Sequence, residues 1–492
     1  MTCEGCILFS LVVAEGMVVG IEKNSSSPCL SRPVDLQVPT YALRVLEVLE
    51  NAGFEAWIVG GWVRDALRGS FAHDIDITTL ATWQQSKAAF VAAGIPVHET
   101  GIAYGTVTAV VEQHPIEVTT YRCDGEYLDG RRPDSVQFVS CIEKDLARRD
   151  FTINAMAYHP KRGLLDLYGG QEDLSAHVIR SVGEPKARFT EDALRMLRAL
   201  RFACRFSFSV EEKTHQALIE CAPLLSQVAS ERIGLEVAQI VEGGHIAHAI
   251  KLGFSVLAVA IPELLLLQNF DQRSPYHAYD VLKHTARVCS ATEAFTVGCA
   301  TPILRWAALL HDIAKPEMFS VDADGRGHFY GHPEKGADVA KVLLKRLALP
   351  QRLINEICAL VALHDYDVDV TTASLRHMVA LLAEVSKSDG ITLAYDLLTL
   401  KQADALAKAV PYRGYAVALE RMFSLLKNEA KKGIAQRPQD LCISGADIMQ
   451  ALSITPGPIV GAYQHKLFEA YLIGTVENRR EELLALLAQL AK

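Results

Sequence analysis

At 492 residues, with 50% hydrophobic and 22% charged residues, the chain is too long for a single core and has the composition of a soluble globular protein of roughly three or four domains. A net charge of −9 excludes nucleic-acid binding over the whole surface and leaves room for a local basic groove. Eleven cysteines without framework spacing exclude a disulfide-stapled class and point to a reducing, cytoplasmic setting. No apolar run reaches the roughly 20 residues of a membrane span, since Pro262-Glu263 interrupts Ser255–Leu267.

Residues 1–36 read as a disordered extension. Ile7–Val13 lacks a basic segment before it and is flanked by Glu4 and Glu15, so it is not a signal peptide. Cys3-x-x-Cys6 has no second pair to make a metal site, and Asn24–Pro33 reads as a linker. Pro39–Ala52 carries Leu43, Val45, Leu46 and Leu49 at helical spacing. Trp57–Val59 then reads as a buried strand, Gly60-Gly61 as a turn that lets backbone approach a ligand, and Val63–Leu67 as a short helix. In Asp74-Ile75-Asp76-Ile77, strand alternation sends both aspartates to one face, a compact way to hold hard divalent cations beside a triphosphate. Trp83–Ala93 reads as a helix ended by Gly94. Thr106–Val111 and Ile116–Tyr121 read as strands pairing with the aspartate strand, so the head is α/β.

Three further segments carry charge in useful places. Tyr121–Pro133 is a Gly/Asp/Arg-rich loop. Arg148–Met156, RRDFTINAM, sets two arginines and an aspartate ahead of an apolar segment read as helical, and guanidinium groups suit phosphates because they bind two oxygens at once. Glu191–Arg198 reads as one helix capped by Thr190, with Asp192 and Arg195 on one face. A carboxylate and a guanidinium so placed match the hydrogen-bonding edges of cytosine or adenine. Arg180–Arg205 holds seven Lys/Arg against three acids, a local charge of +4 suited to phosphates. From Glu184 onward the periodicity is helical, and Lys427–Asp440 reads as a second linker. In that helical part stand His284, His311-Asp312, His332, His364 and Asp404; imidazole and carboxylate together suit a divalent transition metal or Mg2+ that activates water against a phosphate ester.

The combination Gly-Gly-x-x-Arg-Asp with Asp-x-Asp, joined to RRDFTINAM and EDALRMLR, resembles the polymerase-β-like superfamily and, within it, the class II tRNA nucleotidyltransferases and bacterial poly(A) polymerases. The resemblance implies that Asp74, Asp76 and Glu117 are catalytic and bind Mg2+ as a two-metal site. It also implies that Gly60, Gly61 and Arg64 cradle a triphosphate, that Arg149 and Asp150 bind the nucleotide, and that Asn154 sets the local fold. Asp192 and Arg195 would select CTP and ATP with Arg198 in support, the loop 121–133 would help the change from C to A addition, and Ser230–Glu236 would scaffold the neck. His284, His311, Asp312 and Asp404 resemble the metal ligands of HD-type phosphohydrolases. The implied organisation is an α/β polymerase-β-like head (37–180), an all-α base-selecting neck (181–250), a helical body with the HD domain (251–426) and a helical tail (427–492) that holds tRNA. The expected activity is CCA addition to tRNA, with CTP and ATP as substrates, a possible second phosphohydrolase activity and no membrane partner. The alternatives are a poly(A) polymerase, or a metal-dependent phosphohydrolase with an RNA-binding head.

Overall fold

The computed structural model describes residues 35–70, 74–124, 136–276, 278–412 and 414–491. The expectations for residues 1–34, Asn24–Pro33 among them, and for 125–133 lie outside the described residues. Leu36 is already packed, its backbone N–H donating to Tyr158 Oη.

The head is built on a seven-stranded mixed sheet, with β1 Ala56–Val59, β2 Asp76–Thr79, β3 Val97–Gly101, β4 Thr106–Val111, β5 His114–Thr120, β8 Met156–His159 and β9 Gly163–Asp166 in the order β3-β4-β5-β2-β1-β8-β9. A separate hairpin pairs β6 Arg122–Asp124 with β7 Val136–Phe138. Strand alternation decides the two faces. Ile58, Ile77, Ile116 and Val118 join the main core under α1 Thr40–Asn51 and α3 Trp83–Ala92, while Trp57, Val59, Tyr121 and Ala157 form a smaller core on the other side with Ile142 and Leu146 of α4 Ile142–Ala147. A Thr82–Gln85 capping box fixes the start of α3. The short helix α2, Gly61–Leu67, follows β1 directly, and α5 is Gly170–Ser175.

Three details depart from the sequence expectations. Of the two strands expected beside the aspartate strand, only β5 pairs with it, in parallel; β4 pairs with β3 and β5 instead. The apolar segment after Arg148-Arg149-Asp150 is a turn, Thr152–Asn154, followed by strand β8, because β1 and β9 flank it and leave all four residues buried. Glu191–Arg198 is not one helix. Pro185 opens α6, Pro185–Glu191, which ends at Asp192 in an extended conformation (φ −141°, ψ 102°), and α7 starts afresh at Leu194–Phe206. Thr190 is therefore inside α6 and caps nothing.

The rest is helical: α8 Glu212–Cys221, α9 Ser230–Glu242, α10 Ile246–Ala260, α11 Val281–Phe295, α12 Pro302–Leu310, α13 His332–Arg346, α14 Gln351–Leu363, α15 Thr372–Ser386, α16 Gly390–Ala407 and α17 Tyr415–Lys432, then α18 Gly445–Leu452, α19 Pro458–Leu472 and α20 Arg480–Leu490. One apolar core runs from α1 to α17, and α18–α20 close over their own core of Ile448, Leu467, Leu472, Leu483 and Leu487. The expected linker Lys427–Asp440 is half helix: α17 continues through Lys432, and the chain leaves helical geometry at Gly433. Arg376 ties the two cores together, donating to the Tyr471 carbonyl and to the carboxylates of Glu429 and Glu477. Among the described residues, no helix is long and apolar enough to cross a membrane.

Candidate functional site

A cleft of about 520 Å3 lies between the sheet and α7, with eight arginines against Asp76, Asp150 and Asp192 in its lining. Such an excess of guanidinium groups in an acidic protein is a place for a polyanion. Gly60 and Gly61 form its floor, and the two glycines are not equivalent. Gly60 has φ +73° and ψ −129°, and a Cβ there would stand 2.8 Å from Arg149 Nη1; at Gly61 it would meet only Arg64, at an ordinary 3.5 Å. The Gly60 conformation therefore seats Arg149 against the turn. Arg149 Nε is buried without a hydrogen-bond partner, and the guanidinium lies close enough to Asp76 to lower its pKa.

Asp76 and Glu117 are register partners on the parallel strands β2 and β5, so both carboxylates leave the sheet on the same side. Ile75 and Ile77 are buried, whereas Asp74, Asp76 and Glu117 are exposed; the alternation at 74–77 holds although Asp74 precedes the strand itself. At the cleft floor, partial desolvation, the Glu117 charge and Asp74 push the Asp76 carboxyl above its usual range, against the opposing pull of Arg149. Converging oxygen donors with mutual repulsion suit a hard divalent cation, whose charge would offset that repulsion.

The other cleft residues hold one another. Arg64 Nε and Nη2 donate to both oxygens of Asp65 (2.8 and 2.7 Å), and Nη1 donates to Asn154 Oδ1 at 2.6 Å, with the guanidinium over the rings of Phe202 and Phe206. Asn154 Nδ2 donates to Asp150, which also accepts Nε and Nη2 of Arg198 (2.9 and 2.6 Å). Although burial opposes ionisation, Arg198 and Asn154 hold the Asp150 carboxyl down at about 2. Arg64 and Asp150 thus act as fasteners between head and neck, with their hydrogen-bonding capacity largely engaged by protein partners. Asp192 and Arg195 both reach the cleft but are not paired: Asp192 accepts from Arg232 Nη2 at 2.9 Å and caps Leu194 N, while Arg195 donates to Glu191 and to the Arg148 carbonyl. Of the seven cations counted between Arg180 and Arg205, Arg195, Arg198, Arg201 and Arg205 line the cleft; Arg180 pairs with Asp173, Lys186 with Glu220 and Arg188 with Glu191. Ser230–Glu236 contributes more than scaffolding, because Arg232 reaches Asp192 and Glu236 accepts from Arg201. No local motif announces that contact, which spans 40 residues.

The second constellation gathers around Asp312. His284 Nε2 is 2.9 Å from Asp404 Oδ1 and 3.5 Å from Asp312 Oδ2, and His311 Nε2 is 3.1 Å from the same Asp312 oxygen. All four expected ligands therefore meet. His332 and His364 join them, at 3.5 and 3.6 Å from Asp312 Oδ1. Lys315 stands against Asp312 and Lys408 against Asp404, and together with the neighbouring histidines they keep both carboxyls well below the usual range despite their burial. A cleft of about 690 Å3, lined in part by Lys315, Lys408 and Arg326, opens onto the cluster. Buried imidazole and carboxylate donors with charge to spare fit a divalent cation.

A two-metal-type carboxylate face beside an arginine-rich cleft, on a mixed sheet followed by helices with an HD cluster, defines a nucleotidyltransferase head joined to an HD domain. Comparison with known proteins agrees. Residues 56–180 match the model of the Poly A polymerase head domain, 207–264 that of the probable RNA and SrmB-binding site of polymerase A, and 276–409 the HD domain. The CCA-adding enzyme of Geobacillus thermodenitrificans is 31% identical over 91% of this chain and 96% of its own length. That of Lactobacillus helveticus is 47% identical over 43% of this chain, a match that spans about half of the relative, 52%. The crystal structure of the Bacillus stearothermophilus CCA-adding enzyme in complex with CTP covers 91% of this chain and 96% of its own, with a TM-score of 0.65 and 26% identity. The Thermotoga maritima CCA-adding enzyme complexed with tRNA, at 22% identity and a TM-score of 0.58, shares the fold over 92% of this chain and 96% of its own. The chain belongs to the CCA-adding enzyme family.

Proposed function

We propose that this protein transfers CMP and AMP from CTP and ATP to the 3′ end of tRNA, releasing pyrophosphate. The observation that carries the reading is the Asp76–Glu117 register pair facing the arginine cleft whose far wall holds Asp192 and Arg195. Asp74, Asp76 and Glu117 would hold Mg2+, which when bound would acidify the tRNA 3′-hydroxyl and offset charge on the α-phosphate. Arg149, seated by the Gly60 turn, binds the triphosphate near those carboxylates. The polar edge of the incoming base is read by Asp192, held by Arg232, and by Arg195. Arg64, Asn154, Asp150 and Arg198 fasten the triphosphate side to the base-reading side, so the two ends of the nucleotide are positioned together. The tail, α18–α20, and the neighbouring body hold the tRNA. Its free thiols, all eight cysteines among the described residues, suit a reducing cytoplasm. Full-chain relatedness to CCA-adding enzymes favours this reading over poly(A) tailing.

His284, His311, Asp312 and Asp404 would hold a divalent transition metal or Mg2+ in a separate phosphohydrolase site, where Lys315 and Lys408 attract an anionic ester. For the head, the test is Asp74→Ala: incorporation of C and A should be abolished with tRNA binding largely intact, and retained incorporation would sink the metal assignment.

A further inference from the structure

The HD cluster is larger than the four ligands assigned to it, and its excess has a regular geometry. His311 Nδ1 lies 3.0 Å from the Ala308 carbonyl, His332 Nδ1 2.8 Å from that of Phe329, and His364 Nδ1 2.7 Å from that of Val361. In each case the ring reaches the carbonyl three residues back. A carbonyl oxygen can only accept, so each Nδ1 carries the proton and each neutral ring turns the Nε2 lone pair inward.

Two consequences follow. His332 Nε2 and His364 Nε2 face one another at 3.1 Å, lone pair toward lone pair, in a site where both side chains are more than nine-tenths buried. Two acceptors at that distance repel unless a cation lies between or beside them. On the other side, His311 Nε2 and Asp312 Oδ2 are buried and lack a hydrogen-bond partner, although they stand 3.1 Å apart. Asp312 divides the cluster: Oδ2 faces His284 and His311, and Oδ1 faces His332 and His364. The two halves, His284–His311–Asp312 and Asp312–His332–His364, each bring three ligand atoms within 4.8 Å of one another, and among the described residues they are the two groups that do so.

We infer that the HD domain holds two divalent cations bridged by the Asp312 carboxylate, the second bound by His332 and His364. The inference rests on the reading of His284, His311, Asp312 and Asp404 as the first metal site. Three nitrogen donors, each held in one tautomer by a backbone carbonyl, suit a borderline transition ion such as Ni2+, Co2+ or Zn2+ more than Mg2+. Asp312, His332, His364 and Asp404 line the open cleft together with Lys315 and Lys408, so a phosphate ester entering there meets both cation positions and two ammonium groups. The ligand class is a phosphomonoester or phosphodiester spanning the pair.

The test is metal content of the full chain, loaded with Ni2+ and dialysed against excess Mg2+ so that the head carboxylates carry Mg2+. Two nickel ions per chain are expected, falling to one in the double variant His332→Ala/His364→Ala and to one in His284→Ala/His311→Ala. X-ray absorption of the nickel-loaded wild type, which needs no variant to fold, should show nickel–nickel backscattering. A single nickel, unaffected by His332→Ala/His364→Ala and lost in His284→Ala/His311→Ala, overturns the second site and leaves the first standing. A single nickel lost in His332→Ala/His364→Ala, or two without backscattering, overturns the bridge. No retained nickel overturns both this inference and the first-site reading. CMP incorporation by the variants, which depends on the distant head, reports that they fold.

Discussion

Replacing Gly60 by alanine separates the two glycines of the turn and tests how the cleft is built. The Gly60 backbone at φ +73° and ψ −129° belongs to the region that side chains avoid, which costs about 1–3 kcal/mol for a residue with a Cβ. That Cβ would also stand 2.8 Å from Arg149 Nη1, so the guanidinium must move or the turn must open. If Arg149 then loses one charge-assisted contact to the triphosphate, worth about 1.5–3 kcal/mol, kcat/KM for CMP incorporation falls about 10- to 200-fold. Gly61→Ala has neither liability, since its Cβ meets Arg64 at 3.5 Å and its φ is helical, and it should keep near-native stability and activity. The assay is single-turnover incorporation from CTP, paired with urea denaturation of each variant. Equal behaviour of the two variants, or native kinetics in Gly60→Ala, would refute the claim that this turn seats Arg149.

Other perturbations read different parts of the account. Arg232→Ala should free Asp192 and narrow the discrimination between CTP and other nucleotides, with Arg232→Lys restoring part of it; single-nucleotide incorporation ratios measure the change, and an unchanged ratio argues against a positioning role. Arg376→Ala leaves Glu429 buried without its main cation and should cost about 3–5 kcal/mol where the tail docks, seen as faster hydrogen exchange in residues 441–491; unchanged exchange there would contradict it. Asp396 is raised to about 6 by burial, with Glu356 adding and the Thr301 hydrogen bond opposing. A carboxyl that binds its proton more tightly in the folded state takes stability away as pH rises from about 4 through 6. Asp396→Asn should therefore stabilise the protein at pH 7 by up to about 3 kcal/mol and have little effect near pH 4, and a stabilisation independent of pH would refute that origin. Asp150, held at about 2, works in the opposite sense, contributing stability above pH 4 that is lost as pH falls toward 2.

The chemistry-bearing stretch was legible because it is local. Glycine turn, short helix and aspartate alternation fall within 23 residues, and Ile75 and Ile77 are buried as their period requires while Asp74 and Asp76 are exposed. Glu117 could be placed only through the family resemblance, since strand pairing across 41 positions leaves no local mark. Short apolar runs misled: Met156–His159 has the same composition for a helix or a buried strand, and its neighbours β1 and β9 decide. The break at Asp192 was hidden for a similar reason. Every residue from Glu191 to Arg198 tolerates a helix, and the chain leaves it where Asp192 meets Arg232 from α9 and caps Leu194. His332 and His364 stood in view, but the tautomers that give them meaning come from carbonyls positioned by α13 and α14.

The most direct test is incorporation by the wild-type chain on tRNA lacking its CCA end, offered CTP alone, ATP alone, or both, with Asp76→Asn as the control. CTP alone should be used, ATP alone should not extend the bare end, both together should complete it, and Asp76→Asn should do none of these. Tailing from ATP alone, or CMP incorporation that survives in Asp76→Asn, would contradict the account.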